Sequence, residues 1–485
     1  MDDHGVARDL TREGFLRRSA LGALAAAGVY GLVDTIAPPQ ARALTGGSRH
    51  PAEQHVLRGV RIVREHGVEV VVPPRHHQIV TATLRVGHHP RELRAARAEL
   101  EAVLAGLDRR FASTPAGLGT TVAWGRSYFR DFVPRLRDGR RFPHYLPVDL
   151  QASKRDGKQR EAVLDAVRFP SDAESTRLEH NHVCVLFRSD SLDHIAAGAR
   201  AVFDSLDGLF AITSIRKGFV GGGEAGGPSL PKQLALRAGL PTARLIPDNA
   251  QLFLGFTSTQ RSALGPDAIA NFETLPGTTD QWPNGYFRAG TVMHLSHLHE
   301  DLDTWYARFS YLRRVWAAFR PALAVEDGTL VLPEGPGEIQ DLPTVVAEAE
   351  DKGLVGHSSS LQPATRLAAP VTGNNGVRYP SGTALMQRAD FNTLDNPFFW
   401  SSRPGHDEMA KAAAPGLHFV AFTATSDLFQ RARLAMDGRY AAGRRTPFHA
   451  RAEEQGLNSV LRTTHRQNYL VPPRRHRSFP LSELL

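Results

Sequence analysis

The chain has a single cysteine, Cys184, among its 485 residues. An internal disulfide is therefore excluded, even in an oxidising compartment outside the cytoplasm. Stability must come from packing or from a bound group. With 41% apolar and 22% charged residues, the composition is that of an ordinary globular protein. The length suits two domains with appendages better than one compact core.

Long apolar runs are scarce, and the informative one lies near the N-terminus. Arg17-Arg18 precede a charge-free run from Ser19 to Val33 that is rich in Ala and Gly. The segment Ala41–Ala43 ends this region with small residues at its first and third positions. These are the three regions of a signal peptide. The run is too short and too weakly apolar for a transmembrane helix, which needs about 20 apolar residues.

Residues 1–43 are therefore predicted to be a signal of the twin-arginine type, although Glu13 stands where that pattern has its second arginine if Arg12 is the first. We expect export to the periplasm, the cell surface or the exterior, with a mature chain that begins near Leu44. The alternative is a buried, alanine-rich helix. Twin-arginine export would fit a protein that folds around a cofactor before it is moved.

Lysine is missing from the segment Arg431 to Leu485, which contains eleven arginines and four acidic residues. Such a basic stretch can bind nucleic acid or attract anionic ligands. Its arginines alternate with turns and prolines rather than with stacking aromatics, and the sequence contains no recognisable nucleic-acid module. We therefore expect residues 436–485 to be a solvated or ion-paired basic tail, and we expect no nucleic-acid partner.

The first half of the chain alternates strand and helix patterns between residues 50 and 235. Two β-branched runs flank Pro73-Pro74, and a helix with apolar residues at helical spacing begins at Pro90. The patterns that follow are a strand "GTTVAWGRSYF", a strand "HNHVCVLFRSD", a helix "LDHIAAGARAVFDSL" and a strand "LFAITSIRKGFV". This order predicts an α+β fold of the ferredoxin-like type, with an antiparallel sheet and helices on one face.

Residues 245–435 repeat this order of strands and helices less regularly. The predicted elements are a strand "AQLFLGF", a strand "YFRAGTVMHLSHL", a helix "EDLDTWYARFSYLRRVWAAF", a strand "GLHFVAFTA" and a helix "SDLFQRARLAMDG". A second ferredoxin-like domain is therefore predicted. The stretch from Pro321 to Phe399 has few periodic runs, and long irregular segments in compact domains are usually functional or disordered.

The histidine-rich segment His294 to Asp301 is a candidate metal site. On a strand, His297 and His299 share one face and His294 points to the other. Two histidines and an acid can bind zinc, but the spacing matches no firm ligand motif. Solvated strand histidines are the favoured interpretation.

Two further residues are candidates for a site. His357 stands alone between a glycine and three serines, so it is either structural or a metal ligand. Arg388 follows within a short apolar–polar alternation, where it either faces a ligand or pairs with Asp390 or another acid.

The order of these segments resembles the dye-decolorising peroxidase family, exported haem proteins with two ferredoxin-like halves in a dimeric α+β barrel arrangement. The similarity runs through most of the chain after the signal. It is carried by "PPRHHQIVTATLRV", "LGTTVAWGRSYFRDF", "HNHVCVLFRSDSLDHIAAGARAVF", "PNGYFRAGTVMHLSHLHEDLDTWYARFS", "LMQRADF" and "GLHFVAFTATSDLFQRARLAM".

The resemblance implies a site and an activity. His357 falls where the family has the histidine that binds haem iron, and Arg388 falls where it has the arginine on the opposite face. The implied cofactor is haem b, and the implied substrates are hydrogen peroxide and an organic reductant. A histidine on iron with a guanidinium opposite suits the cleavage of an O–O bond. No stable membrane span is expected, and a homo-oligomer would be compatible with the family.

The sequence departs from the family at one loop. The family pattern there is Gly-Phe-x-Asp-Gly, whereas this chain has Gly255-Phe256 followed by Thr257, Ser258 and Thr259. Ser258 replaces the aspartate, and a serine hydroxyl is a poor base near neutral pH. Three functions stay open: a peroxidase with weakened proton transfer, a haem carrier or sensor without turnover, and a haem-free binding scaffold.

Overall fold

The computed structural model describes residues 30–36, 50–65, 68–133, 146–223, 227–256, 267–327, 329–330, 341–394, 413–440 and 451–485. The strands are Arg61–Glu65 (β1), Val68–Val72 (β2), His76–Leu84 (β3), Gly119–Gly125 (β4), Arg177–Leu178 (β5), Val183–Ser189 (β6), Phe210–Phe219 (β7), Thr291–Glu300 (β8), Val325–Glu326 (β9), Thr329–Leu330 (β10), Val371–Thr372 (β11), Arg378–Tyr379 (β12), Gln387–Arg388 (β13), Phe391–Thr393 (β14), Gly416–Thr423 (β15) and Leu461–Val471 (β16).

The α-helices are Val33–Ile36 (α1), Pro90–Arg110 (α2), Arg126–Phe132 (α3), Leu150–Asp156 (α4), Leu192–Ala199 (α5), Leu230–Arg237 (α6), Tyr311–Ala318 (α7), Leu342–Lys352 (α8), His357–Thr365 (α9) and Ser426–Met436 (α10). Helix α5 continues as a π-turn at Arg200–Asp204, and a second π-turn, Thr304–Arg308, precedes α7. The 3₁₀ turns are Tyr30–Leu32, Ala243–Leu245, Asp267–Ala270, Ala452–Glu454, Gly456–Ser459, Arg474–His476 and Ser482–Leu484.

The first half of the fold contains β3, β4, β6 and β7, which pair antiparallel in the order β7-β3-β6-β4. Helix α2 follows the first of these strands along the chain, and α5 follows the third. This is the β-α-β-β-α-β arrangement of a ferredoxin-like unit. The predicted helix from Pro90 is confirmed, since Leu93, Leu100 and Leu107 are buried at helical spacing.

The second half repeats this order with β8, β14, β15 and β16. Strand β15 pairs with β14 and β8, and β8 pairs with β16, all antiparallel. Helix α7 follows β8, and α10 follows β15. The predicted α+β class with two ferredoxin-like halves is therefore confirmed. The fourth strand of this half, Leu461–Val471, lies in the segment predicted as a basic tail.

The two half-sheets close into a barrel at two joints. At one joint β16 pairs with β4 through Tyr469↔Gly125 and Leu470↔Trp124. At the other joint, which we call the seam, β14 pairs with β7 through the single pair Asn392↔Phe219. The helices pack on the outer face of the barrel, and a smaller apolar core, with residues such as Ile79, Leu295 and Phe422, fills part of its interior.

Closure of the barrel corrects the prediction for the histidines of β8. His294 and His297 are each 1% exposed, so they are buried rather than solvated. His297 faces the interior beside His418, and the centroids of their rings lie 5.0 Å apart. His294 lies on the outer face, where its ring stacks on that of Phe429 with the centroids 3.4 Å apart. The residues that the structure describes contain no group of three or more His, Cys, Asp or Glu side chains that could hold a metal ion.

Three other local predictions were wrong in part. The apolar run from Ala250 to Phe256 is a turn and not a strand, because Gly255 adopts φ +80° and its backbone N–H donates to the Leu252 carbonyl oxygen at 2.9 Å. The third predicted strand ends at Gly125, where α3 begins. The predicted helix through residues 300–319 is split by the break before Ser310, which caps α7.

The stretch from Pro321 to Phe399 is less irregular than its composition suggests, since it contains α8 and α9. Cys184 is buried inside the barrel, and burial raises the pKa of its thiol above the usual range. In the ranges given above, no helix is both long and apolar enough to cross a membrane.

Candidate functional site

A cavity of about 270 Å³ lies on the outer face of the second half-sheet, beneath α9 and α10. Strands β8, β15 and β16 form its floor through side chains such as Ser296, Leu298 and Phe419. Further apolar side chains line it: Leu252, Leu254, Phe256, Phe319, Leu361, Leu417, Leu457 and Leu461. On the corresponding outer face of the first half, α2 and α5 pack against the strands in a continuous apolar core.

His357 borders this cavity from the first position of α9. A side chain on the preceding Gly356 would come within 2.8 Å of the Phe319 carbonyl oxygen. The Ser359 backbone N–H donates to that same oxygen at 2.9 Å. The start of α9 is therefore held close to Phe319, and only a glycine at position 356 allows this approach.

The imidazole of His357 is neutral at physiological pH. Burial, with smaller contributions from the charges of Arg388 and Arg433, lowers the pKa of His357 to about 4. Its Nδ1 atom is buried and has no hydrogen-bond partner in the part of the chain that the structure describes. A neutral imidazole is the protonation state that binds metal ions.

Arg388 borders the same cavity from β13, where it pairs in register with Ala421 of β15. The next residue, Ala389, packs in the barrel interior, so alternation along the strand places Arg388 on the outer face. The Nε atom of Arg388 lies 3.8 Å from Oδ1 of Asp390, which also borders the cavity. The structure thus brings His357 and Arg388 together, and it also shows the ion pair with Asp390.

Two more arginines of the cavity wall are neutralised by buried acids. The Arg466 Nη1 atom lies 2.5 Å from Asp172 Oδ2, and the Arg433 Nη1 atom lies 2.6 Å from Asp437 Oδ1. Of these two pairs, that of Arg466 lies in the segment predicted as a basic tail, and that of Arg433 lies before it. They fix the wall of the cavity, and they add little net charge to it.

Arg366 differs from those two arginines. It lies directly after α9, and its Nη1 atom donates to the Gly382 carbonyl oxygen at 2.8 Å. No carboxylate of the described residues pairs with it. Burial and the nearby charge of Arg388 lower the pKa of Arg366, which still leaves it a cation at neutral pH. Because Asp390 pairs with Arg388, Arg366 is the cation in excess in this part of the cavity, and it suits a carboxylate.

Glu300, the last residue of β8, is the buried acid of the cavity. It is 2% exposed, and its Oε2 atom has no hydrogen-bond partner among the residues described. Burial raises the pKa of Glu300 to about 8. The carboxyl group is therefore mostly protonated at neutral pH and exchanges its proton close to physiological conditions.

Ser258 lies outside the described residues, but the turn that leads to it borders the cavity through Leu252, Leu254 and Phe256. The hydroxyl group of Tyr306 donates to the Phe253 carbonyl oxygen at 2.6 Å and holds this turn in place. Asp267, the next acid along the chain, accepts a hydrogen bond from Gln387 and does not line the described cavity wall.

Residues 74–473 match the Family of unknown function (DUF7405), which covers most of the chain. The chain belongs to DUF7405. Among the curated proteins none matches the sequence of this DUF7405 chain.

Several solved structures are similar to this DUF7405 protein. A dye-decolorizing peroxidase from Bacteroides thetaiotaomicron has 9% identity and a TM-score of 0.46, and the match covers 89% of this chain and 99% of that one. A variant of DypB from Rhodococcus jostii in complex with haem has 13% identity and a TM-score of 0.45, and the match covers 88% of this chain and 98% of that one. The encapsulated DyP-type peroxidase from Mycobacterium smegmatis has 11% identity and a TM-score of 0.44, and the match covers 84% of this chain and 95% of that one. At such identities and TM-scores, these likenesses carry no inference about activity or ligand.

Sequence reasoning missed two residues of the DUF7405 cavity. The sequence pattern places Glu300 only in the candidate metal site, although alternation along β8 puts it on the same face as Ser296 and Leu298. Arg366 was not singled out, although it directly follows the helix that begins at His357. Glu300 could have been found by following one face of β8 from His294, whereas Arg366 lies beyond the last residue of α9 in an extended conformation, so helical spacing from His357 does not lead to it.

Proposed function

We propose that this DUF7405 protein is an exported protein that binds haem b in the cavity beneath α9 and α10 and oxidises organic substrates with hydrogen peroxide. The observation that supports this most strongly is that His357 and Arg388, which resemble the two site residues of the dye-decolorising peroxidase family, border one cavity. They come from α9 and β13, which are separate in the sequence, so the fold alone brings them together.

The residues of the cavity fit such a group. His357 is a neutral imidazole whose Nδ1 lacks a partner among the described residues, which is expected of a group that awaits a ligand. Leucine and phenylalanine side chains offer an apolar surface to a flat macrocycle. Arg366 is a cation without a carboxylate partner in the described structure, so it suits an acidic substituent at the edge of that macrocycle.

Haem, when bound, would supply the redox chemistry with peroxide. The chain contributes binding, orientation and charge. His357 would hold the group through its imidazole. The guanidinium of Arg388 borders the same cavity and would stabilise negative charge on a peroxide bound there. Glu300 holds a proton that it can release near pH 8.

Absorbance spectroscopy tests the proposal. The protein is produced with haem available, and the Soret band of the wild type is compared with those of His357→Ala and His180→Ala. His180 is exposed, so its variant is a control for the loss of a histidine as such. We expect the band in the wild type and the control and its loss in His357→Ala. A wild type without the band, or a His357→Ala variant that keeps it, would contradict this assignment.

A second function, haem binding without turnover, is favoured by the acid–base groups of the cavity. Ser258 has a hydroxyl group where the dye-decolorising peroxidase family has a carboxylate, and the buried Glu300 is mostly protonated at neutral pH. Peroxide-dependent oxidation of a dye separates the two functions. A haem-loaded protein that oxidises no dye would be a carrier or sensor.

Export belongs to the same proposal and is supported by Arg17-Arg18 and the apolar run that follows them. We expect the double substitution Arg17→Lys with Arg18→Lys to block export in a host with a twin-arginine pathway. Equal secretion of the variant and the wild type would refute this route.

A further inference from the structure

Part of the predicted signal is built into the fold. The segment Tyr30–Ile36, which we call the strap, lies against the second half of the protein. Tyr30 is 3% exposed and Val33 is fully buried. The ring of Tyr30 lies 6.1 Å from that of Phe219 in β7. Two side chains of the strap are thus members of the apolar core that also holds the turn before Ser258.

The strap contacts both strands of the seam. The hydroxyl group of Tyr30 lies 3.5 Å from the Lys217 carbonyl oxygen in β7 and 3.3 Å from Thr393 Oγ1 in β14. The Leu394 backbone N–H donates to the same hydroxyl group at 3.2 Å. The strands β7 and β14 share a single residue pair, whereas β16 and β4 share two. The hydrogen bonds of Tyr30 therefore reinforce the joint of the barrel that has fewer residue pairs.

A third strand anchors the other end of the strap. Asp34 Oδ1 lies 3.0 Å from His76 Nε2, at the start of β3, and 3.5 Å from Arg75 Nη1. Burial raises the pKa of Asp34, but His76 and Arg75 outweigh this effect and hold it below the usual value. The carboxylate is therefore ionised and attracted to the body of the protein at neutral pH.

We propose that Tyr30–Ile36 is a permanent strap across the seam and that the exported protein keeps it, so that the chain is not cut after Ala43. Removal of the strap would expose the apolar surface that Tyr30 and Val33 cover, and the Leu394 backbone N–H and the buried His76 Nε2 atom would lose the partners that the strap provides. A cut before Tyr30 would leave these contacts intact. The strap stabilises the protein whether or not haem is bound.

The mass of the exported protein tests the proposal directly. The full chain is produced in a host with a twin-arginine pathway, and the protein recovered outside the cytoplasm is weighed by intact mass spectrometry. We expect a chain that includes Tyr30. A chain that begins at Leu44 would overturn the proposal.

A pair of variants of the full chain tests the structural role of the strap independently of export. Val33 is buried and Thr35 is exposed, although both are β-branched and belong to the same helix. We expect Val33→Asp to lower the melting temperature by several degrees and Thr35→Asp to leave it unchanged. If Val33→Asp does not fold while Thr35→Asp does, the strap is confirmed as a structural element. Equal melting temperatures for Val33→Asp, Thr35→Asp and the wild type would overturn it.

Discussion

The buried carboxyl group of Glu300 gives the protein a pH dependence that can be calculated in sign and in size. Its pKa is about 8 in the folded protein and near the model-peptide value of 4.5 in the unfolded chain. Between these pH values the folded protein holds one more proton than the unfolded chain. The free energy of unfolding therefore falls as the pH rises, by about 1.4 kcal/mol per pH unit. The side chain is 2% exposed, so solvent screening does not reduce this contribution.

The substitution Glu300→Gln removes the titration and keeps the shape of the side chain. At about pH 4 the group is mostly neutral in both the folded protein and the unfolded chain, so the free energies of unfolding of the variant and the wild type should be similar. At about pH 7.5 the variant should be more stable than the wild type by about 4 kcal/mol. Urea denaturation at a series of pH values, followed by tryptophan fluorescence, measures both curves.

A matched control is Glu99→Gln on the exposed face of α2, which makes the same chemical change in solvent. Its curve should coincide with that of the wild type. Parallel curves for Glu300→Gln and the wild type would refute the reasoning, because they would mean that Glu300 ionises at the same pH in the folded and unfolded protein.

Three further predictions concern the cavity. Arg388→Leu should leave the haem content near that of the wild type and slow the reaction with peroxide, measured by stopped-flow absorbance; equal rates would assign Arg388 to its ion pair with Asp390 alone. Ser258→Asp with Thr259→Gly should raise peroxide-dependent dye oxidation, by up to about 10²- to 10⁴-fold if no other base acts; a fast wild type that gains nothing would mean that another group is the base. Gly356→Ala should destabilise the protein by about 1–3 kcal/mol in urea denaturation, since its methyl group would meet the Phe319 carbonyl oxygen. The control Gly106→Ala, where the nearest atom lies 3.8 Å away, should not be destabilised.

The order of strands and helices could be predicted from the sequence because each half repeats one simple pattern. Leucines at helical spacing from Pro90 and strand patterns at β3, β6 and β15 predicted elements that the structure contains. The turn before Ser258 could not be predicted in this way. Its apolar side chains face a core and a cavity wall, and a short apolar run with that role has the same composition as a buried strand.

The histidines of β8 show a second limit. Alternation along a strand predicts two faces, and a sheet with one solvated face would leave one set of histidines in water. In a closed barrel both faces are buried, the inner one by the opposite strands and the outer one by helices. Closure depends on two distant joints, β4 with β16 and β7 with β14, and no local pattern in the sequence indicates them. The cavity was likewise predictable only through the resemblance at His357 and Arg388.

The two halves share one layout, but they use their outer faces differently. In the first half Val80, Val185 and Trp124 pack with the helices into a solid core. In the second half the equivalent face carries small and polar side chains, such as Ser296 and Thr463, and leaves room for a ligand. One copy of the layout can thus serve as a rigid frame for the other. Exchanges of side chains on the outer face of β8, β15 and β16 could reshape the cavity for another molecule without disturbing the nucleus of the fold, which makes this half the natural place for new ligand specificity to arise.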